Sequence, residues 1–332
     1  MSRTGDVVAE FQSRGLIHDS TDRAELSARS TSSMMSAYVG FDPTSNSLHV
    51  GNLLGQVSLR RFQLLGHRPV VLAGGATGMV GDPSGRSEER NLLDADTLAN
   101  EMQMGGSDQW GNITAGIDLI RKTLGKGAYG LTWPLVTKSD GSKFGKTADG
   151  AVWLDAERTS PYQFRQFWMQ VADADIARML TQFSLRSLED INDIVRQQTE
   201  RPESRVAQRA LAREMTAMVH GEDAAEAAEQ AADVLFGANP VSASKTALEA
   251  VLGEVESTTM GRAALGDVVG LLVTTGLAGS NSEARRLLSQ RSVRANGEQL
   301  DEFSKLDSVA LLHGRWLLLR KGKTTYHMVD FA

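Results

Sequence analysis

Cysteine is missing from all 332 residues of the chain. Its absence excludes disulfides, thiolate zinc sites, iron–sulfur clusters and a cysteine nucleophile. Long hydrophobic runs are missing too: stretches such as VVGLLV are far shorter than the roughly 20 residues of a membrane span. The first 15 residues carry no apolar signal core. These absences predict a cytoplasmic protein with no membrane partner.

An overall excess of positive charge is also missing. The chain has 35 Lys and Arg against 41 Asp and Glu, a net charge of −6. From residue 261 onward, however, 10 basic residues stand against 7 acidic ones, so this tail carries +3 and the rest −9. A basic tail favours a nucleic-acid partner, but the same small surplus is also typical of a solvated surface. Charge alone does not decide between the two.

The ordinary composition, 41% hydrophobic and 23% charged, predicts a folded chain of about two domains. Residues 36–41 and 68–81 are short apolar segments, the second of which runs into a glycine-rich turn, and 49–65 has apolar residues at helical spacing. Strand, helix and strand in this order predict an α/β domain with a parallel sheet. From Ser160 the composition changes to helix formers, with helices predicted to start near residues 160, 173, 187 and 203.

Three motifs carry residues suited to phosphate chemistry. GFDPTSNSLHVGNL (40–53) places a histidine at a strand-to-helix connection, where free backbone N–H groups favour phosphate. GGSDQWGNI (105–113) combines two glycines with an acceptor and an amide, and KFGKT (143–147) puts two lysines on a polar loop. Taken singly, each has an ordinary explanation: a helix cap, a turn with a buried tryptophan and a basic loop.

Taken together and in this order, the motifs resemble the class I aminoacyl-tRNA synthetases, and specifically the bacterial tyrosyl-tRNA synthetase family. LAGGATGMVGDPSGRSEER (72–90) and PLVTKSDGSKFGKT (134–147) are similar to segments of that family. SPYQFRQFW (160–168) is similar to its helical domain, and SNSEARRLLSQRSVRANGEQL (280–300) to its S4-type RNA-binding tail. The resemblance covers almost the whole chain and implies a Rossmann-like catalytic domain, a helical domain and a small α+β tail.

The resemblance implies ATP as a substrate, accompanied by Mg²⁺, with no tightly bound cofactor and no metal-binding residue of the protein. It also implies L-tyrosine and tRNA(Tyr) as partners. The tyrosine carboxylate, ionised above about pH 4, attacks the α-phosphate without a general base, so donors around the phosphate are the main requirement. No covalent nucleophile is needed.

The implied roles fall on four sets of residues. Stabilisation of the transferring phosphate falls on Thr44, His49, Lys143, Lys146 and Thr147. Contacts with ATP fall on Gly40, Asp42, His49, Gly51, Asn52, Gly106, Asp108 and Lys146. Contacts with the amino acid fall on Tyr38, Thr77, Asp82 and Gln109. Contacts with RNA fall on Arg285, Arg286, Arg291, Arg294, Arg320, Lys321 and Lys323. Asn52 stands where the family motif has its last histidine.

One departure from the family is large. RSEERNLLDADTLANEM (86–102) leads directly into QMGGSDQWGN, where the family carries a long helical insertion. In the family that insertion supplies a tyrosine and a glutamine for the substrate ammonium, an aspartate for the phenol hydroxyl, and much of the dimer interface. The shortening therefore predicts weakened tyrosine activation and a lost or altered homodimer interface.

The predicted domains are a shortened catalytic domain at 1–159, a helical anticodon-side domain at 160–237, a linker at 238–261 and an S4-like RNA-binding domain at 262–332. The function predicted is that of a tyrosine–tRNA ligase. Two alternatives stay open at this point: a relative that binds RNA without aminoacylating it, and a ligase that adenylates another small carboxylate. The phosphate motifs favour a ligase, and the missing insertion favours the alternatives.

Overall fold

The computed structural model describes residues 4–41, 47–74, 101–139, 141, 144–147, 150–306 and 309–331. The chain divides into two compact units. The first unit comprises Met1–Ser160 and Phe167–Met215, and the second comprises Pro161–Gln166 and Thr216–Ala332.

A parallel four-stranded sheet forms the centre of the first unit. Its strands are β1 (Ser36–Phe41), β2 (Arg68–Ala73), β3 (Met102–Gly106) and β4 (Tyr129–Trp133). The strand order is β2-β1-β3-β4, and each neighbouring pair is parallel. Because all four strands run the same way, their carboxyl ends meet at one edge, where the connecting loops of a parallel sheet place ligands. The predicted α/β class and the strands at 36–41 and 68–73 are confirmed.

Helix α3 (Val50–Leu64) connects β1 to β2 and packs closely on the sheet. Its apolar residues recur at helical spacing, as the sequence predicts, and form one buried face. Gly55 lies on that face, where an added Cβ would come within 3.3 Å of the Phe41 ring and of Val39. The glycine therefore lets the helix approach β1, and so fixes the position of its N-terminus relative to the strand.

Further helices of the first unit are described besides α3. They are α1 (Val7–Ser13), α2 (Arg23–Ser32), α4 (Trp110–Leu124), α6 (Asp173–Phe183), α7 (Leu188–Glu200) and α8 (Val206–His220), the last of which continues into the second unit. Helix α5 (Pro161–Met169) likewise belongs to both units. The two-residue strands β5 (Lys146–Thr147) and β6 (Gly150–Ala151) form an antiparallel pair. Helix starts are confirmed at residues 161, 173 and 188, and the fourth comes at 206, after a 3₁₀ turn at 202–204.

Two buried arginines bind the carboxyl end of α6. Arg61 of α3 donates from Nη2 to the Ser184 carbonyl at 2.6 Å, and Arg14 donates from Nη1 to the same oxygen at 3.1 Å. Burial and the neighbouring Arg14 charge lower the pKa of Arg61 to about 9. The carbonyls at the end of α6, which have no partner within their own helix, are thereby satisfied.

The second unit combines helices with a mixed five-stranded sheet. Its further helices are α9 (Glu222–Leu235), α10 (Lys245–Glu254), α11 (Val268–Thr274) and α12 (Asn281–Ser289). Its strands are β7 (Glu256–Thr259), β8 (Val293–Ala295), β9 (Glu298–Gln299), β10 (Trp316–Lys321) and β11 (Thr325–Asp330). The strand order is β7-β11-β10-β8-β9, with β7 and β11 parallel and the other pairs antiparallel.

Apolar side chains cover both faces of this sheet. On one side, Leu317, Leu319 and Val329 pack with residues of α11 and α12. On the other, Trp316, Leu318 and Met328 pack with residues of α9 and α10. The stretch 238–261, predicted as a linker, contains α10 and β7, and the proposed four-part domain division stays a prediction. Across the described ranges, no helix is long and apolar enough to cross a membrane.

Candidate functional site

The N-terminus of α3 is capped by the histidine of the HVGN motif. The His49 ring accepts a hydrogen bond at Nδ1 from the Gly51 backbone N–H, at 3.0 Å. Asn52 completes a capping box, because its side-chain oxygen accepts from the His49 backbone N–H at 3.1 Å. Since Nδ1 is an acceptor, the proton of the neutral imidazole is on Nε2, where it can serve as a donor.

Gly51 is required by this cap. An added Cβ at this position would lie 2.7 Å from Cε1 and 2.8 Å from Nδ1 of His49, so any larger residue would displace the ring. On its other side, the His49 ring meets Trp153 edge-on at a centroid distance of 6.1 Å. The Arg158 guanidinium lies over that tryptophan, 3.3 Å from the ring centroid. Trp153 and Arg158 are neighbours of the site that the motifs do not reveal.

The KFGKT loop lies against the same helix start. Gly145 has φ +91°, and an added Cβ there would lie 3.1 Å from the Gly51 backbone nitrogen. Val152 joins the two segments, because its N–H donates to the Gly145 carbonyl at 3.3 Å while its carbonyl accepts from the Val50 N–H at 2.9 Å. Two motifs separated by about ninety residues in the sequence therefore meet backbone to backbone.

Phe144, next to that glycine, anchors the loop in an aromatic cluster. Its side chain is only 8% exposed. Its ring centroid lies 5.0 Å from that of Phe167, 5.5 Å from Trp168 and 5.8 Å from Phe183. The sequence of the KFGKT loop is marked by its two lysines. It is the buried phenylalanine, however, that packs the loop against the rest of the first unit.

The GGSDQW motif forms a 3₁₀ turn, Ser107–Gln109, directly after β3. Gly106 leaves room for Asp108, because an added Cβ would lie 2.6 Å from its Oδ1. Gln109 donates to the Asp108 carboxylate at 3.2 Å and accepts from the Asn112 amide at 3.0 Å. Both Asp108 and Gln109 are exposed at the carboxyl edge of the sheet, where a ligand can reach them.

Tyr38 and Gly40 share one face of β1, because residues two apart in a strand point the same way. Tyr38 pairs in register with Val70 of β2 and Gln103 of β3. Burial raises the pKa of Tyr38, so its phenol stays protonated at neutral pH. Gly40 is exposed, and an added Cβ would meet nothing within 4 Å, which leaves open space beside the strand.

Several predicted site residues lie outside the described residues: Asp42, Thr44, Thr77, Asp82 and Lys143. For Lys146 and Thr147 the backbone is described as β5, opposite Ala151 and Gly150. Their roles stay predictions. Among the residues that are described, no group of three or more His, Asp or Glu is placed to hold a metal ion.

The seven predicted RNA-binding cations differ in their surroundings. Arg285 and Arg286 are exposed on α12. Arg291 lies 3.5 Å from the Asp301 carboxylate, and Lys321 donates to the Leu277 carbonyl at 2.7 Å and lies 3.4 Å from Glu283. The structure brings the remaining three around one pocket: Arg294, Arg320 and Lys323.

Two known protein families match this chain, each over a different part of it. The family described as tRNA synthetases class I (W and Y) matches residues 30–102 and 93–237. The C-terminal domain described as tyrosine–tRNA ligase SYY-like matches residues 247–329. The two segments of the first match meet at 93–102, where the sequence predicts the shortening.

Curated relatives cover almost the whole chain. A tyrosine–tRNA ligase of Opitutus terrae is 37% identical over 423 aligned positions, covering 98% of this chain and 100% of that protein. One of Bacillus caldotenax is 36% identical over 421 positions, with 98% and 100% covered. Because this chain has 332 residues, at least 91 of the 423 positions have no counterpart in it.

Solved structures share the fold. A C-terminally truncated mitochondrial tyrosyl-tRNA synthetase of Aspergillus nidulans superimposes with a TM-score of 0.60 at 24% identity, covering 70% of this chain and 94% of that one. The corresponding Coccidioides posadasii structure gives a TM-score of 0.58 at 24% identity, covering 68% and 92%. These neighbours share the fold, and together with the family match they confirm the predicted class I architecture.

Proposed function

The chain belongs to the tyrosyl-tRNA synthetase family of class I aminoacyl-tRNA ligases, and we propose from this that it activates tyrosine with ATP and transfers it to tRNA(Tyr). One observation of the structure carries the proposal: the KFGKT loop docks through Gly145 on Gly51, at the capped start of α3. The alternatives of a pure RNA-binding relative and of a ligase for another carboxylate find no support in the comparisons.

In the proposed reaction, a carboxylate oxygen of tyrosine attacks the α-phosphorus of ATP, and the bond from that phosphorus to the bridging oxygen of pyrophosphate breaks. No proton has to be removed from the carboxylate. The protein's task is to hold donors around the phosphates as negative charge moves onto the pyrophosphate. Nε2 of His49 supplies one such donor, and Thr44, Lys143, Lys146 and Thr147 supply the others.

Asp108 and Gly106 are proposed to bind the ribose of ATP, and Gln109 the amino-acid carboxylate. The first assignment is supported by the exposed Asp108 carboxylate beside a glycine that has no side chain to block it. The second is supported by the fixed orientation of the Gln109 amide: its oxygen accepts from Asn112, so its NH₂ group points to the Asp108 side. Gly40, Asp42, Gly51, Asn52 and Lys146 complete the proposed ATP contacts.

The amino-acid half of the site is proposed to be incomplete. Tyr38, Thr77, Asp82 and Gln109 remain, whereas the family insertion that reads the phenol hydroxyl and holds the ammonium is missing. A hydrogen bond to a charged group contributes roughly 1.5–3 kcal/mol, so two or three such losses would slow activation by several powers of ten. A site that hydrogen-bonds a substrate hydroxyl rejects analogues that lack the hydroxyl. The discrimination of tyrosine from phenylalanine is a standard example of this effect. We therefore expect poor discrimination against phenylalanine here.

Three further parts of the proposal concern partners. Mg²⁺ would be held by the phosphates of ATP, where it neutralises charge, because the described residues offer no acidic cluster for it. The basic tail is proposed to contact tRNA(Tyr) through the seven cations named above. A cytoplasmic location and a homodimer interface altered by the shortening complete the proposal.

The test of the ATP assignment is calorimetry with a non-hydrolysable ATP analogue. Lys143→Ala with Lys146→Ala should weaken binding by at least tenfold. The matched control, Lys122→Ala with Lys126→Ala, removes two exposed lysines at and beyond the end of α4 and should bind as the unaltered protein does. Equal affinity in both double variants would refute the assignment.

A further inference from the structure

A concave pocket of about 500 Å³ lies within the second unit. Its polar side chains are those of Asn239, Arg294, Arg320, Lys323 and Tyr326, and Val234, Pro240 and Leu318 supply an apolar wall. Three of these groups are cations, and none of the residues that line the pocket carries a carboxylate. A concave site with one sign of charge raises the local concentration of oppositely charged ligands.

The two arginines are directly opposite each other across the sheet. Arg294 of β8 and Arg320 of β10 are register partners in an antiparallel pair. Like charges at such positions repel, because opposed side chains are only about 5 Å apart at Cβ. Arg294 donates to the Gly297 carbonyl and Arg320 to the Lys323 carbonyl. Among the residues that the structure describes, neither arginine has a carboxylate partner to offset this repulsion.

Arg320 is held in place before any ligand arrives. Its guanidinium lies 5.3 Å from the Tyr326 ring centroid, and that tyrosine is itself tied to the Val234 carbonyl through its hydroxyl at 3.2 Å. Gly237, at φ +105°, makes room for the arginine, since an added Cβ would lie 2.9 Å from Nη1. Nε of Arg320 is buried and has no hydrogen-bond partner in the described part of the chain.

Arginine and lysine bind phosphate oxygens by charge-assisted hydrogen bonds, and the planar guanidinium matches the geometry of a phosphate especially well. We propose that this pocket binds the phosphate group of a nucleotide, held jointly by Arg294, Arg320 and Lys323. The apolar wall and the Asn239 side chain offer the remaining space to the sugar or base. Asn239 accepts from the Val241 N–H through its oxygen, so its NH₂ group is a donor toward such a ligand.

The phosphate can come from a free nucleotide or from an RNA backbone. The pocket lies in the second unit, whereas the proposed adenylation residues lie in the first, so the inference goes beyond the activation reaction. The inference about the pocket rests on the proposed function only if the bound phosphate belongs to tRNA.

The test uses the full chain with Arg294→Gln, Lys323→Gln and the double variant. Both side chains are exposed, so the fold does not depend on them, while Arg320 is left intact because it packs on Tyr326.

The control, Arg121→Gln with Arg196→Gln, removes two exposed arginines of the first unit that pair with carboxylates on their own helices. Binding of tRNA(Tyr) is measured against salt concentration.

When two cations of the protein bind the same phosphate of the RNA, binding releases only the counterions that were condensed on that one phosphate. The slope of log affinity against log salt should therefore change by about 1 in the double variant, and by no more than that in either single variant. Independent surface contacts would instead give additive changes of about 1 each, and that result would overturn the proposal. The control should leave the slope unchanged.

A second arm identifies the source. Inorganic phosphate and cytidine 5′-monophosphate are titrated by calorimetry into the unaltered protein and the double variant. Binding of either probe that falls at least tenfold in the double variant supports a free ligand, and a change in the tRNA slope alone supports RNA. If the chain binds no tRNA, the proposed function is refuted. The proposal for the pocket is then tested only by the titrations with inorganic phosphate and cytidine 5′-monophosphate. No effect of the double variant in either arm would overturn the proposal.

Discussion

Gly145 lies against the backbone nitrogen of Gly51, so close that one added carbon would stand 3.1 Å from it. This contact joins the KFGKT loop to the start of α3, and Val152 ties the two together with a hydrogen bond on each side. Because neither glycine carries a side chain, the loop backbone reaches the capped end of the helix beside His49. The geometry of this glycine pair is what makes the two motifs one site.

We expect Gly145→Ala to disrupt the site. The φ of +91° alone costs an alanine roughly 1–2 kcal/mol, and the new Cβ would push the loop away from α3. The KM for ATP in pyrophosphate exchange should rise at least tenfold. Gly141→Ala is the matched control, since Gly141 has φ +81° but nothing within 4 Å of an added Cβ. Equal KM values for the two variants would mean that backbone strain alone, and not the contact with Gly51, is responsible.

His49 has a capping role and a proposed catalytic role, and two substitutions separate them. His49→Ala should lower the free energy of unfolding by about 1 kcal/mol, because the cap is lost. His49→Asn should keep the cap, since asparagine is a preferred capping residue. Both should reduce kcat by roughly 10²–10³, the effect of removing one donor to a developing charge. Full exchange activity in His49→Asn would leave the ring with only a structural role.

Removal of the Phe144 ring should release the loop from its aromatic anchor. We expect Phe144→Ala to lower the free energy of unfolding by roughly 3–5 kcal/mol, as other buried phenylalanines do, and to raise the KM for ATP. Phe303 provides the control, because 82% of its side chain is exposed, and Phe303→Ala should change stability by less than about 0.5 kcal/mol. Urea titration measures both. A Phe144→Ala variant with unaltered stability would contradict the packing described.

The acid stability of the first unit should depend on His67. Its buried ring donates from Nε2 to the Gly5 carbonyl at 3.0 Å and accepts at Nδ1 from the Met35 N–H at 3.3 Å. Burial lowers the pKa of His67 below its usual 6.5, because the neutral ring is the form that fits. The stability that depends on the neutral ring is complete above pH 6.5 and is lost as the pH falls below it.

The urea midpoint should therefore decrease between pH 7.5 and 5.5, and less steeply in His67→Gln than in the unaltered protein. Glutamine cannot take up a proton, so its own cost to stability is the same at both pH values. The difference in urea midpoint between the unaltered protein and His67→Gln should therefore become smaller as the pH is lowered. Parallel curves would show that another group causes the acid sensitivity.

The parts of the fold that follow local rules could be predicted from the sequence. Strands 36–41 and 68–73 and helix 50–64 come at the predicted places. In the strand 36–41 and the helix 50–64 the apolar residues form a buried face, whereas the strand 68–73 follows from its short apolar run alone and has no buried residue. The helices Val7–Ser13 and Arg23–Ser32 lie outside the elements that apolar spacing predicts. Their first turns are capped by Asp6 and Asp22, a signal that the sequence does contain.

The site could be predicted only in its motifs. The contact of Gly145 with Gly51, the bridging role of Val152 and the aromatic anchor of Phe144 depend on the tertiary fold, and no local pattern reveals them. The same holds for the pocket around Arg294 and Arg320, since strand register sets which basic residues of the tail face one another.

The most direct test of the account is the exchange of labelled pyrophosphate into ATP, run in parallel with tyrosine and with phenylalanine. The account predicts slow, ATP-dependent exchange with tyrosine that His49→Asn reduces further, and only a weak preference for tyrosine over phenylalanine. It would be contradicted by no exchange with either amino acid. Rapid exchange with a strong preference for tyrosine would contradict it too, because the chain would then read the phenol hydroxyl without the missing insertion.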